Sequence, residues 1–126
     1  MALLNTEQLL SLAAGTRRTV DVDIPGLGQL RLRELPDAKS HEFHQLQERQ
    51  AKGESGALRR IEVLLFSAAI IGEDGKPLLN EKQAGELVDS IGILTSQAII
   101  KAIVDLHGWA KPEAAPGNSE GSPVDY

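Results

Sequence analysis

The sequence predicts a small, mostly helical α+β protein, in which one N-terminal β-hairpin packs on four to five helices. Between Arg17 and Arg33, apolar and polar residues alternate, as they do in half-buried strands. Farther along the chain, apolar residues recur every three or four positions, as they do on one face of a helix. From Lys111 onward there are three prolines and two glycines but a single branched aliphatic residue, Val124. Such a segment buries too little to offset its chain entropy, so we expect a flexible tail.

Length and composition are those of one small domain. The chain has 126 residues, a formal net charge of −5 and no cysteine. Leu, Ile, Val and Phe together make up 35 residues, enough to form a core. We therefore predict a single domain over residues 1–110 and a tail over 111–126. The lack of cysteine excludes disulfides, zinc–thiolate sites and thiol catalysis, and the acidic charge argues against a general nucleic-acid binder.

The first element is predicted to be a short helix over residues 6–14. Asn5 or Thr6 can cap its first amide groups, and Gly15 can end it with a positive φ. Its apolar side is predicted to consist of Leu9, Leu10 and Leu12.

A hairpin is predicted over residues 18–33, with its turn at Pro25–Gly28. The apolar residues are even-numbered on both strands, and directly opposed residues share a face. Two registers satisfy this condition, one pairing Ile24 with Leu30 and the other pairing Val22 with Leu30. Both registers place the acidic strand opposite the basic one.

Four further helices are predicted over residues 37–51, 57–72, 81–91 and 96–107. Asp37 lies near the positive end of the first of these helices. The second is apolar nearly all round and should be central. Its predicted buried stripe is Leu58, Ile61, Leu64, Leu65, Ala68 and Ile71.

Capping residues mark the last two predicted helices. Asn80 and Gln83 have the spacing of a capping box. Thr95 or Ser96 is expected to cap the final helix, and Gly108 to end it.

No motif predicts catalysis, a cofactor or a metal. His41 and His44 are spaced by three, not by the four of a His-Glu-x-x-His zinc motif. Gly26 and Gly28 lack the third glycine of a dinucleotide loop. A calcium loop around Gly75 would place Ile70 and Gly72 at ligand positions, where neither side chain can ligate. We therefore expect no enzyme and no cofactor, and we read residues 72–77 as a turn with Gly75 at positive φ.

Nucleic acid and membrane are not expected partners. The basic pairs Arg17–Arg18 and Arg59–Arg60 have no aromatic residues between them on which bases could stack. The longest apolar stretch, Val63–Ile71, is far shorter than the ~20 residues of a membrane helix. Residues 1–5 carry no positive charge, unlike a secretory signal. We expect a soluble cytoplasmic protein.

The candidate site is an apolar partner-binding surface. Trp109 can either pack back on the last helix or serve as an interface anchor. It is one of the apolar residues that have no clear place in the predicted core. These candidate contact residues are Leu78, Leu79, Ile100, Val104 and Trp109.

The order of these parts resembles a known family, the small tail assembly chaperones of long-tailed bacteriophages and prophages. The resemblance covers roughly residues 5–109 and rests on the order and spacing of five motifs. These are the acidic–apolar strand Val20–Ile24, the Pro25-Gly26 turn, the basic strand Leu30–Leu35 ending in Arg33-Glu34-Leu35, the apolar segment Leu58–Ile71 with Glu73–Leu78 after it, and the helix end Leu106-His107-Gly108.

The resemblance implies a role in assembly. Members of this family coat the tape measure protein, keep it soluble and help to gather tail tube subunits around it. They act in the cytoplasm of the infected cell and are absent from the finished virion. The implied partners are therefore the tape measure protein and the tail tube protein, and self-association is left open. Two alternatives are a head–tail connector or tail completion protein of the virion, and a small inhibitor of a host system.

Overall fold

Helices and a small antiparallel sheet form the part of the chain, residues 2–109, that the computed structural model describes. The predicted α+β class is confirmed, and the predicted tail, residues 111–126, lies outside the described residues. A 3₁₀ turn, Ala14–Thr16, follows the first helix. The elements in chain order are α1 (Thr6–Ala13), β1 (Thr19–Ile24), β2 (Gly28–Arg33), α2 (Asp37–Ala51), α3 (Ala57–Ala69), β3 (Ile70–Ile71), α4 (Glu81–Ser90) and α5 (Ile93–His107).

The hairpin takes the second of the two predicted registers, with Val22 opposite Leu30. Asp21 then faces Arg31, and the Arg31 Nε donates to the Asp21 Oδ1 at 2.7 Å. This pair lies on the exposed face, where an ion pair contributes little free energy but favours the correct register. On the other face, Leu32 is fully buried.

A third strand, β3, replaces the end of the predicted helix 57–72. The helix stops at Ala69, and Ile70 and Ile71 pair with Leu32 and Arg31 of β2. Both isoleucines are β-branched and both are buried, so they suit a short strand that extends the sheet beside β2. The sheet order is β1-β2-β3.

The core centres on α3, as predicted. This helix packs against α2, α4, α5 and β3 and carries six buried residues, among them Phe66 and Leu65. One position of its predicted stripe is wrong: Leu58, in the first turn, is exposed because no described element covers that side. The core is completed by Ile24, Leu32, Leu35, Phe43, Leu46, Ile70, Ala84, Ile99 and Ile103.

The first helix, α1, is not part of this core. None of its residues is buried, although an apolar side was predicted correctly from the spacing. The predicted left-handed end at Gly15 is also wrong, since the φ of that glycine is not positive. Instead the chain continues into the 3₁₀ turn, where the Thr16 hydroxyl donates to the Ala13 carbonyl at 2.6 Å.

Of the N-terminal caps predicted for the last two helices, one is correct and one is wrong. The predicted capping box is present: the Asn80 Oδ1 accepts from the Gln83 amide at 2.8 Å. The predicted cap of α5 at Thr95 or Ser96 is wrong, because the helix begins at Ile93 after Gly92. The Ser96 hydroxyl instead donates to the Glu62 carboxylate of α3 at 2.9 Å. Gly108 ends α5 in the left-handed conformation, as predicted.

Candidate partner-binding surface

Leu78 and Leu79 line an open groove of about 600 Å³. Leu78 is 54% exposed, and Leu79 is half-buried against the core. Apolar atoms of Ala68 and Pro77 extend the groove floor. Its charged rim consists of Arg17, Lys39 and Glu81. An apolar floor with a polar rim is the arrangement that receives the apolar side of a helix.

The turn before this groove fixes Leu78 in place. The Gly72 amide donates to the Lys76 carbonyl at 2.9 Å, and Asp74 accepts from the Lys76 amide. Gly75 has a φ of +81°, as expected for the turn. The Leu78 amide then donates to the Ile70 carbonyl at 3.0 Å, so the groove is anchored to the end of the sheet.

The cation at the groove rim, Arg17, is held by the backbone after the hairpin. Its Nε donates to the Glu34 carbonyl at 2.8 Å. Partial burial lowers the pKa of Arg17 from its ordinary value, and the neighbouring charge of Arg33 lowers it further. The guanidinium stays protonated, so it offers a fixed positive charge to an incoming carboxylate.

Two other predicted contact residues, Ile100 and Val104, lie on α5 outside this groove. Both are half-buried, and Ile100 packs against the core. A charged substitution at Ile100 would therefore test folding as well as binding.

Trp109 packs back on the domain. Its ring stacks on Phe43 at 4.6 Å between centroids and on His107 at 4.1 Å. The Nε2 atom of His107 accepts from the Leu35 amide at 2.8 Å, while Nδ1 lies 2.8 Å from the Ile103 carbonyl. This geometry assigns the proton of the neutral imidazole to Nδ1. The structure therefore agrees with the first interpretation, in which Trp109 packs back on the domain. Its contact reaches across to Phe43 of α2.

Other large apolar residues are also exposed, and sequence reasoning did not single them out as a surface. One group surrounds α1, and a second lies at the starts of α3 and α5. The only signal for the second group was a pair of apolar residues, Ile93 and Leu94, in what was predicted to be a loop. The two groups are Leu3, Leu4, Leu9, Leu10 and Leu12, and Leu58, Ile93 and Leu94.

A second groove, of about 490 Å³, is lined mainly by residues of α2 and α3. Leu46 and Leu64 form part of its floor. Its rim is lined by Arg49, Arg59 and Arg60.

These arginines are engaged within the chain. Arg49 donates to Glu54 at 2.9 Å, and Arg59 forms an ion pair with Asp89. Among residues 2–109, no cluster of three or more histidine or acidic side chains could hold a metal. No helix in the same range combines the length and apolar character needed to cross a bilayer.

Comparison with known proteins gives a match among solved structures. No family model and no curated protein sequence matches the chain. The solved structure of the bacteriophage HK97 tail assembly chaperone matches 80% of this chain and 95% of its own, with a TM-score of 0.58 and 18% sequence identity. At this identity the match concerns the fold, and the predicted resemblance is confirmed at that level: the chain has the fold of a phage tail assembly chaperone.

Proposed function

We propose that this protein is a tail assembly chaperone that binds the tape measure protein, keeps it soluble and helps to recruit tail tube subunits. The observation that carries the proposal is the fold match to the HK97 tail assembly chaperone, which extends over nearly all of that chain. The order of sequence motifs points independently to the same family.

The groove at Leu78 and Leu79 suits this role. A long helical partner with an apolar stripe offers many equivalent segments, and each can seat in a groove with an apolar floor. The rim supplies Arg17 and Lys39 for acidic side chains beside that stripe. Binding of this kind needs no reaction chemistry, so the proposal includes neither an enzyme activity nor a cofactor.

The first experiment is co-expression with the tape measure protein of the same phage, followed by affinity capture and light scattering. We expect a soluble complex with many copies of this chain per tape measure protein. A tape measure protein that stays insoluble, or a soluble one that captures none of this chain, would overturn the proposal.

A matched pair of variants locates the binding site. Leu78→Asp should abolish capture, because it places a charge on the groove floor. Leu27→Asp is the control, since Leu27 is 50% exposed in the hairpin turn and lies outside the groove. Equal capture by both variants would exclude this groove as the site.

The proposal also predicts where the protein is found. We propose that it acts in the host cytoplasm and leaves before the virion is complete. Mass spectrometry of purified virions should therefore lack it, whereas a head–tail connector or tail completion protein would be present. Recovery of the chain at a fixed copy number per virion would favour that alternative.

A further inference from the structure

The two grooves meet on the outer face of α3. Ser67 lines the groove at Leu78, and Val63, one helical turn earlier in α3, lines the second groove. Glu81, the first residue of α4, lines both grooves. The grooves are therefore neighbouring parts of one depression, which we call the trough, and its residues are those that line either groove.

The floor of the trough is a stripe along α3. Gly56, Arg60, Val63 and Ser67 follow one another at spacings of four, three and four, so they lie on one side of the helix. Arg60 is exposed, and Val63 and Ser67 are half-buried, so the stripe is open along its length. From Gly56 to Ser67 the floor is about 17 Å long, which is the length of a helix of about three turns.

The walls of the trough are α2 and α4. Both helices pack against α3, but among the described residues they make few contacts with each other, so a channel is left between them. Lys39 lines one end of the channel and Arg49 the other, so the α2 wall extends along the whole trough. The small side chains of Ser67 and Ala68 allow close approach at one end. A channel between two helices, above a third, is where another helix packs in a helical bundle.

The lining of the trough is positively charged, whereas the whole chain has a formal net charge of −5. Arg60 is held loosely: its side chain is 62% exposed, and its ion pair with Glu54 is long, at 3.9 Å. The pairs of Arg49 with Glu54 and of Arg59 with Asp89 are also exposed, so they contribute little and can be exchanged for a partner's carboxylate. The lining contains five cations and two carboxylates, which are Arg17, Lys39, Arg49, Arg59 and Arg60, and Glu42 and Glu81. Such a lining favours an acidic partner over a basic one.

From this arrangement we propose that the trough receives an amphipathic helix of about three turns whose apolar stripe is bordered by acidic residues. The apolar stripe of that helix packs over Val63 and Leu78, and its carboxylates lie beside Arg60 at one end and Arg17 and Lys39 at the other. This inference rests on the proposed function, under which the helix is a segment of the tape measure protein. The trough then selects among the apolar segments of its partner, because the same cations repel a stripe with basic borders.

Peptide binding to the purified full chain tests the proposal. The probes are overlapping synthetic peptides of the tape measure protein, each about 20 residues long so that a helix can form, and fluorescence anisotropy measures their binding. We expect the peptides with an acid-bordered apolar stripe to bind, and their affinity to fall with added salt. Replacing their acidic residues by lysine should raise the dissociation constant about fivefold. Equal binding of the acidic and the lysine-substituted peptides would overturn the proposal.

Two substitutions in the trough should change the affinity for the acid-bordered peptides in opposite directions. Arg60→Glu should weaken binding about fivefold, and Glu81→Gln should tighten it about twofold, because one removes a cation and the other a carboxylate. A general loss of structure cannot produce both effects. Lys101→Glu is the control, since it makes the same change of net charge as Arg60→Glu at a cation of α5 that is 71% exposed and lies outside the trough. An unchanged affinity of Arg60→Glu, or an equal loss in Lys101→Glu, would contradict the proposal.

Capture of the intact tape measure protein separates this inference from the proposed function. Failure of the wild type to capture it would overturn the proposed function. Capture that is lost in Leu78→Asp but unaffected by Arg60→Glu would overturn only the trough, because the second groove would then lie outside the binding site. Peptides from the helices of this chain, or from residues 111–126, provide the last comparison. If they bind more tightly than every tape measure peptide, the occupant is a second copy or the chain's own C-terminal segment, and the inference is wrong.

Discussion

Glu34 joins the two ends of the hairpin. Its carboxylate accepts from the Arg18 amide at 2.8 Å and from the Arg18 guanidinium at 3.0 Å. The hydrogen bond from the Arg18 side chain, with that from its backbone, lowers the pKa of Glu34. A carboxyl whose pKa is lower in the folded chain stabilises the fold above its unfolded pKa. That stabilisation is lost as the pH falls through the folded value.

We therefore predict that Glu34→Gln weakens the dependence of stability on acid pH. Melting temperatures of the wild type and the variant should differ at neutral pH and converge in acid. The corresponding difference in the free energy of unfolding should be below about 1 kcal/mol, since the pair is near the surface. Glu86→Gln, at an exposed position of α4, is the control. Parallel curves for wild type and Glu34→Gln would contradict the prediction.

His107 links α5 to the segment after the hairpin. It accepts from the amide of Leu35, a buried residue, so replacing it with phenylalanine leaves that amide without its partner. His107→Phe should cost roughly 1–3 kcal/mol of unfolding free energy, measured by urea denaturation. His107→Gln can supply an acceptor oxygen and should recover part of the loss. A wild-type urea midpoint for His107→Phe would show that the bond is dispensable.

Two helices begin with the same Asn-x-x-Gln box but differ in how they are packed. In α4 the Asn80 amide donates to Gln83 at 3.0 Å, and in α1 the Asn5 amide donates to Gln8 at 3.1 Å. Asn80→Ala should lower the free energy of unfolding by about 1 kcal/mol, because α4 packs on the core. Asn5→Ala should leave it unchanged, since α1 buries nothing. Equal losses in chemical denaturation would mean that α1 belongs to the cooperative core.

Local signals predicted most of the elements. The alternation of apolar and polar residues predicted the hairpin, and the capping-box spacing at Asn80 predicted the start of α4. Both signals depend only on residues that are close in sequence. The strand at Ile70 and Ile71 was missed because these residues continue the helical spacing of α3, and only their distant partner Leu32 makes them a strand. The early start of α5 was missed for a related reason, since Ser96 bonds to Glu62 of another helix.

At the scale of the whole molecule, we predict that the N-terminal segment, residues 2–13, contributes almost nothing to the stability of the domain. Removal of residues 2–13 should change the unfolding free energy of the domain by no more than about 0.5 kcal/mol, because no residue of α1 is buried. Calorimetry or urea denaturation would measure this change. A large loss would show that this N-terminal segment packs on its own domain in solution.

The candidate site was predictable only in part, because spacing identifies an apolar face but not what covers it. The same reasoning placed Leu78 correctly at the surface and could not tell that Ile100 packs against the core. It found the apolar side of α1 from Leu9, Leu10 and Leu12 but gave no prediction of what packs against it. Coverage of a helix face is a property of the assembled fold, and here the fold leaves that face open.

The stacking of Trp109 on Phe43 and His107 has a practical consequence. Trp109 is the only tryptophan of the chain, so its emission is an intrinsic optical reporter of the junction between α5 and α2. A red shift would mark the loosening of this junction before the core melts. The same signal could follow partner binding in real time without any added label.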